Sequence, residues 1–136
     1  HVVEEDGKVS LEFIGKHGVE LSIPITDSGV ARDLVARAKE HPGKRGLFST
    51  SDSDLRKYVS KVSNGRFKPK DFRTLKATEI ATREVAKIGR RAADEKEFKQ
   101  MVLGVAKTVS AQLGNTPVVS LQSYINPRLF RTLKPE

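Results

Sequence analysis

The sequence contains no cysteine, which excludes a disulfide framework and a thiolate metal site and suits a reducing, intracellular setting such as cytoplasm or nucleoid. Its three histidines, His1, His17 and His41, are scattered without ligand spacing, so no structural or catalytic metal is expected. No run of roughly 18 apolar residues occurs, and the basic residues are not gathered beside a hydrophobic helix, which puts membrane binding well behind other readings. No signal peptide or transit sequence opens the chain. His1-Val2-Val3 runs straight into an apparent strand without an initiator methionine, from which a fragment or a processed product is expected. Acid is the minority charge, with 17 Asp and Glu against 25 Lys and Arg and a formal charge of +8. A surplus of that size favours a polyanionic partner, nucleic acid before an acidic membrane.

At 136 residues the chain suits one modest core, so a single domain over 1–136 is expected. Residues 7–25 read as a β-hairpin, because Val9, Leu11 and Phe13 alternate with polar residues, Gly15-Lys16-His17-Gly18 supplies the turn, and Val19, Leu21, Ile23 and Ile25 alternate again. A helical part, 27–130, follows. Its first helix is capped within Thr26-Asp27-Ser28 and runs to about Glu40, with Val30, Leu34, Val35 and Ala38 inward, and His41-Pro42-Gly43 ends it. Ser51 or Asp52 caps a second, with Leu55, Tyr58, Val59 and Val62 on one face and Asn64-Gly65 as its stop. A third spans Pro69 to Gly89 with Phe72, Leu75, Ala81, Val85 and Ile88 inward. Asp94 and Glu97 resemble a capping box for a fourth, which turns Phe98, Val102, Val105, Val109 and Leu113 inward and closes at Gly114. Thr116-Pro117 starts a short helix that Asn126-Pro127 ends, and Arg128 to Glu136 reads as a last turn or a frayed tail. The fold class is α+β, mainly α: a β-hairpin or small sheet, then a cluster of helices.

Between Arg56 and Lys76 stand eight basic residues, Arg56, Lys57, Lys61, Arg66, Lys68, Lys70, Arg73 and Lys76, against the single acid Asp71. Such a stretch is costly to pack on itself and natural along a phosphate backbone, although a solvated basic face is the plainer alternative. Within it, the Arg73 guanidinium can donate two parallel bonds to phosphate oxygens, or simply pair with Asp71 or Glu79. Tyr124 lies near the end of the short helix. A phenol attacks phosphorus only where fixed donors hold the phosphoryl oxygens, and a tyrosine taken alone is more often packed with its hydroxyl in water. Lys16 at the hairpin tip is either a polar turn residue or an ammonium able to protonate a leaving oxygen. Asn115 is either a helix C-cap beside Gly114 or a donor to a phosphate oxygen.

The order of the pieces is more specific than any one of them. Phe13-Ile14-Gly15-Lys16-His17-Gly18, His41-Pro42-Gly43 with Leu47-Phe48, Lys70-Asp71-Phe72-Arg73-Thr74, Leu113-Gly114-Asn115-Thr116-Pro117 and Tyr124-Ile125-Asn126-Pro127 follow one another along nearly the whole chain. In this the chain resembles the C-terminal part of the catalytic domain of type IB DNA topoisomerases of the bacterial and poxvirus-like kind. The resemblance implies the catalytic fold that these enzymes share with tyrosine recombinases, with Tyr124 as nucleophile, Arg73 as a transition-state clamp and Lys16 as general acid for the 5′-oxygen. Asn115, nine residues before the tyrosine, takes the place where other members carry histidine. It further implies relaxation of supercoiled double-stranded DNA by a monomer through a 3′-phosphotyrosyl link. Neither ATP nor a metal is needed, since bond energy is kept in that link, and no cofactor is expected.

The family uses a further arginine ahead of the hairpin, and this chain starts too late to contain it. An oxyanion-stabilising donor is worth roughly 3–4 kcal/mol, so the chain alone is expected to be nearly inactive. Leu121-Gln122-Ser123 also stands where relatives often have basic residues. The nearest rival is a tyrosine recombinase, but Lys70-Asp71-Phe72, rather than a histidine two or three residues back, precedes Arg73. A non-catalytic DNA-binding module of the same fold is the rival from another class.

Overall fold

The computed structural model describes residues 1–15, 18–40 and 46–136, and its contacts divide the chain into two compact units, His1–Leu55 and Arg56–Glu136. In the first, three strands, β1 (Val2–Glu5), β2 (Lys8–Ile14) and β3 (Glu20–Ile25), form an antiparallel sheet in the order β1-β2-β3. The expected hairpin is therefore widened by a third strand. Asp6 and Gly7, at φ 50° and 71°, make the two-residue turn that joins β1 to β2, a backbone shape matched to the right-handed twist of the strands. Val2 faces Leu11, and Val9, Leu11 and Phe13 face Ile25, Ile23 and Leu21, so the alternation read from the sequence becomes one apolar face. Helix α1 (Ser28–Glu40) packs against β1 and β3. Asp27 caps it, its carboxylate accepting from the N–H groups of Gly29 and Val30 at 2.8 and 2.9 Å. Of its expected stripe Leu34 is buried, Val35 and Ala38 are half-buried, and Val30 is exposed.

Helix α2 (Asp52–Val62) begins at Ser51, whose Oγ accepts from the Asp54 N–H while the Asp54 carboxylate accepts from the Ser51 N–H. It buries only Val59; Leu55, Tyr58 and Val62 are exposed, contrary to the expected inward face. Apolar periodicity makes a face, and only a neighbouring element makes that face a core.

The main core belongs to the second unit. Helix α3 (Pro69–Ile88) starts with Pro69 in its first turn and with the Asp71 carboxylate accepting from the Lys68 N–H at 2.7 Å; Gly89 at φ 60° ends it. Helix α4 (Glu95–Leu113) is capped by Asp94, which accepts from the Glu97 N–H, while Glu97 reaches back to the Ala93 N–H. Helix α5 (Pro117–Ser123) follows, capped by Thr116, and then a 3₁₀ helix, Pro127–Leu133. Ala77, Ile80 and Ala81 of α3 meet Val105, Ala106, Val109 and Leu113 of α4, with Ile125, Phe130 and Leu133 closing the cluster. Phe72 and Leu75 do not join it and are more than half exposed. At 3.6 residues per turn they lie about 140–160° around α3 from Ala77, and the buried face of α3 carries Ala77, Ile80 and Ala81 instead.

The C-terminal segment is not frayed. Leu133 is 1% exposed, its carbonyl accepts from the Ala92 N–H at 2.9 Å, and the carbonyl of Lys134 accepts from Arg91. Leu133→Ala is expected to lower the unfolding free energy by about 2–5 kcal/mol. Leu75→Ala should change it by less than about 0.5 kcal/mol, and urea denaturation followed by circular dichroism checks both.

The Arg90 hydrogen bond, aided by the Ala93 N–H, holds the Glu97 carboxyl below its ordinary value of 4.5. Its folded pKa is the lower one, so this contribution is present above the unfolded pKa and is lost as pH falls through the depressed value. Glu97→Gln should therefore flatten the loss of stability below about pH 4.5 without altering its course above pH 6. Denaturation at a series of pH values measures this.

Candidate active site

Helix α4 ends at Gly114, in the left-handed conformation at φ 63°, and leaves its last carbonyls without helical donors. One of them, the Leu113 oxygen, accepts from Arg73 Nη2 at 2.7 Å. Arg73 lies in the first turns of α3, so this bond ties the start of α3 to the end of α4. A cation at a helix C-terminus is also favoured by the helix dipole. The plainer alternatives for Arg73 are taken by others: Asp71 accepts from the Lys68 N–H, and Glu79 lies 3.6 Å from Lys76.

Tyr124 occupies the C-cap of α5, its N–H donating to the Ser120 carbonyl. Its half-buried ring packs on the core, which fixes where the phenol can go. The Arg73 guanidinium carbon lies 5.4 Å from the ring centre and Lys70 Nζ 5.5 Å from it. Both distances are within cation–π range. Lys70 and Arg73 are one turn apart on α3, and neither has a carboxylate partner among the described residues. The nucleophile candidate and the clamp candidate are thus together, and Lys70, read from the sequence only as a backbone contact, joins them.

Asn115 follows the helix stop; Gly114, not Asn115, takes the left-handed cap position. Asn115 Oδ1 accepts from the Ser120 hydroxyl at 2.7 Å. Its Nδ2 is buried and has no hydrogen-bond partner. A buried amide donor without a partner costs about 1–3 kcal/mol, the kind of group a ligand oxygen would satisfy. Asn115 is therefore linked to α5, the helix that carries Tyr124, through Ser120.

Of the other basic candidates, Arg56, Lys57 and Lys61 lie on α2, Arg66 and Lys68 between α2 and α3, and Lys76 on α3, and all are exposed. Lys16, with His17 and the segment 41–45 that includes His41-Pro42-Gly43, lies outside the described residues. Among the described residues no group of His, Asp or Glu could hold a metal ion, and no helix is long and apolar enough to cross a membrane. A phenol beside two adjacent cations is suited to binding and attacking a phosphate, and the unpartnered Asn115 donor stands two residues after Leu113, whose carbonyl holds Arg73. Two parts had no sequence signature as site residues: the Leu113 carbonyl, which is backbone, and Ser120, one serine within a helix.

Comparison with protein families matches residues 1–131 to the eukaryotic DNA topoisomerase I catalytic core. A search of curated proteins finds no match.

The two cations differ in how they are held, and stability should show it. Arg73→Ala is expected to cost about 1–2 kcal/mol, because a carbonyl at the end of α4 loses its donor. Lys70→Ala, losing only a contact with the ring, should cost less than about 1 kcal/mol. Chemical denaturation midpoints of the two variants measure the difference.

Proposed function

Since the chain belongs to the eukaryotic DNA topoisomerase I catalytic-core family, we propose that it carries the strand-cleaving chemistry of a type IB topoisomerase on double-stranded DNA. The observation that most supports this is Arg73, anchored on the Leu113 carbonyl and set against the Tyr124 ring. The Tyr124 oxygen attacks a backbone phosphorus, passing its proton to solvent water as the new O–P bond forms. The bond from phosphorus to the 5′-oxygen breaks, its electron pair stays on that oxygen, and Lys16 supplies the proton. Arg73 and the Nδ2 donor of Asn115 steady the non-bridging oxygens while charge builds on them. The product is a 3′-phosphotyrosyl link and a free 5′-hydroxyl. After the downstream duplex swivels, the hydroxyl attacks the link and reseals the strand. Neither ATP nor a metal enters the balance, and one copy of the chain holds the named groups.

The motif order around Lys70-Asp71-Phe72-Arg73-Thr74 and Tyr124-Ile125-Asn126-Pro127 favours the bacterial and poxvirus-like branch and a position in the C-terminal part of the catalytic domain. The exposed series Arg56, Lys57, Lys61, Arg66, Lys68, Lys70 and Lys76 supplies phosphate contacts that position the duplex. No residue of this sequence matches the further arginine that the family carries ahead of its hairpin, so the chain alone is nearly inactive in turnover and its adduct accumulates only over long incubation.

The test is adduct formation on a suicide duplex, whose cleavage releases a short strand, without ATP or magnesium. The wild-type chain should form an adduct stable to denaturant, and Tyr124→Phe should form none while binding DNA within about twofold of wild type. Arg73→Ala should slow the adduct about 10²–10³-fold. DNA affinity should fall steeply with salt, and Lys57→Ala with Lys61→Ala should reduce that slope by about 2. DNA binding without any adduct sinks the catalytic reading in favour of a binding module, and strand exchange between two defined sites would point to a recombinase.

A further inference from the structure

Hydroxyls inside the helices of the second unit mostly turn back on their own helix. Thr78 donates to the Thr74 carbonyl, Thr108 to Gly104 and Ser110 to Lys107. Ser120 does not. It is completely buried, and its hydroxyl donates at 2.7 Å to Oδ1 of Asn115, outside α5. Its backbone carbonyl meanwhile accepts from the N–H groups of both Tyr124 and Ile125, at 3.1 and 2.9 Å. One residue therefore holds the amide by its side chain and the tyrosine's backbone by its carbonyl.

The terminal torsion of an asparagine is soft, and a half-turn about it exchanges oxygen for nitrogen. A phosphate oxygen needs the nitrogen, and an amide presenting its oxygen would repel it. A donor on Oδ1 favours the useful orientation, and the Ser120 hydroxyl donates there. The Nδ2 group is then left buried and unpartnered, as observed. We infer that Ser120 is a positioning residue, which orients the Asn115 amide toward the phosphate while its backbone sets the helix end that presents Tyr124. The inference rests on the roles of Asn115 and Tyr124 in the proposed cleavage.

The test uses the full chain in two measurements. Single-turnover adduct formation on the suicide duplex is compared for wild type, Ser120→Ala, Asn115→Ala and the double variant. Ser120→Ala should slow the step roughly ten- to a hundredfold and Asn115→Ala about a hundredfold or more. The double variant should be no slower than Asn115→Ala, because an orienting hydroxyl has no effect once the amide is gone. A Ser120→Ala loss of equal size in both backgrounds marks a merely structural role and overturns the inference.

The second measurement needs no turnover. In ¹⁵N-labelled chain, release of Oδ1 lets the buried Nδ2 group turn toward solvent, so hydrogen exchange of the Asn115 side-chain amide should be about tenfold faster or more in Ser120→Ala than in wild type, with backbone amides of α3 and α4 unchanged. Unchanged side-chain exchange overturns the inference, whatever the cleavage data. Faster exchange in a chain that forms no adduct supports the Ser120–Asn115 tie and counts against strand cleavage itself, so the two failures are distinguishable.

Discussion

A helix of nineteen residues, α4, must end somewhere with carbonyls that no helical N–H can reach, and here one of them meets a guanidinium. The bond from Arg73 to the Leu113 oxygen is the constraint on which the candidate site depends. It brings the first turns of α3 to the junction between α4 and α5, although Arg73 and Leu113 stand forty positions apart. Gly114 makes the junction tight enough for this, because its left-handed backbone turns the chain at once. Asn115 and the capped α5 then follow within a few residues, and Tyr124 at the end of α5 comes to lie under Arg73 and Lys70. The site is thus assembled by one helix end and its cap, while the apolar packing of α3 on α4 supplies the rigid base.

What the sequence revealed most faithfully was local. Asp27, Ser51, Asp94 and Thr116 cap the helices they precede, and Asn64-Gly65, Gly89 and Gly114 stop the helices they follow, because capping is decided by a few neighbouring atoms. The α+β class followed from the same signals. Readings that depended on a distant partner fared worse. Tyr58, Val62, Phe72 and Leu75 have the period of a buried stripe, yet the buried face of α3 is that of Ala77, Ile80 and Ala81, two of them small residues with little apolar weight in a pattern. β1 was half legible, since two valines announce a strand but not its register. The tail was ambiguous because Phe130 and Leu133 are buried against the distant α3–α4 core and tied by the Ala92 N–H, which no local pattern encodes.

The site was legible in a different way. Tyr124 and Arg73 each had a commoner fate as single residues, and only the order of motifs singled them out. Their proximity in the fold is information that neither residue carried. Asn115 had two readings, cap or donor, and the backbone separates them: Gly114 takes the cap, which leaves the amide for another use. Ser120 was silent because serine within a helix ordinarily bonds its own backbone, and its departure from that habit appears only in three dimensions.

The resting site is electrostatically unfavourable in two respects, and both have the same remedy. Lys70 and Arg73 set two positive charges against one ring without a carboxylate among the described residues to offset them, and Asn115 keeps a buried donor idle. The Tyr124 ring and the Leu113 carbonyl hold the two cations in place, yet like charges repel, and the idle donor forfeits the water it would otherwise hold. A phosphodiester that reached both would answer both at once, its charge offsetting the cations and an oxygen accepting from Nδ2. The gain would grow further as a pentacoordinate phosphorus accumulates charge, since donors already in place need no reorganisation to meet it. Groups that are poorly satisfied in the free protein and well satisfied by a developing oxyanion are what a cleavage site requires, and Arg73 can remain among them because its bond to Leu113 leaves other N–H groups to donate.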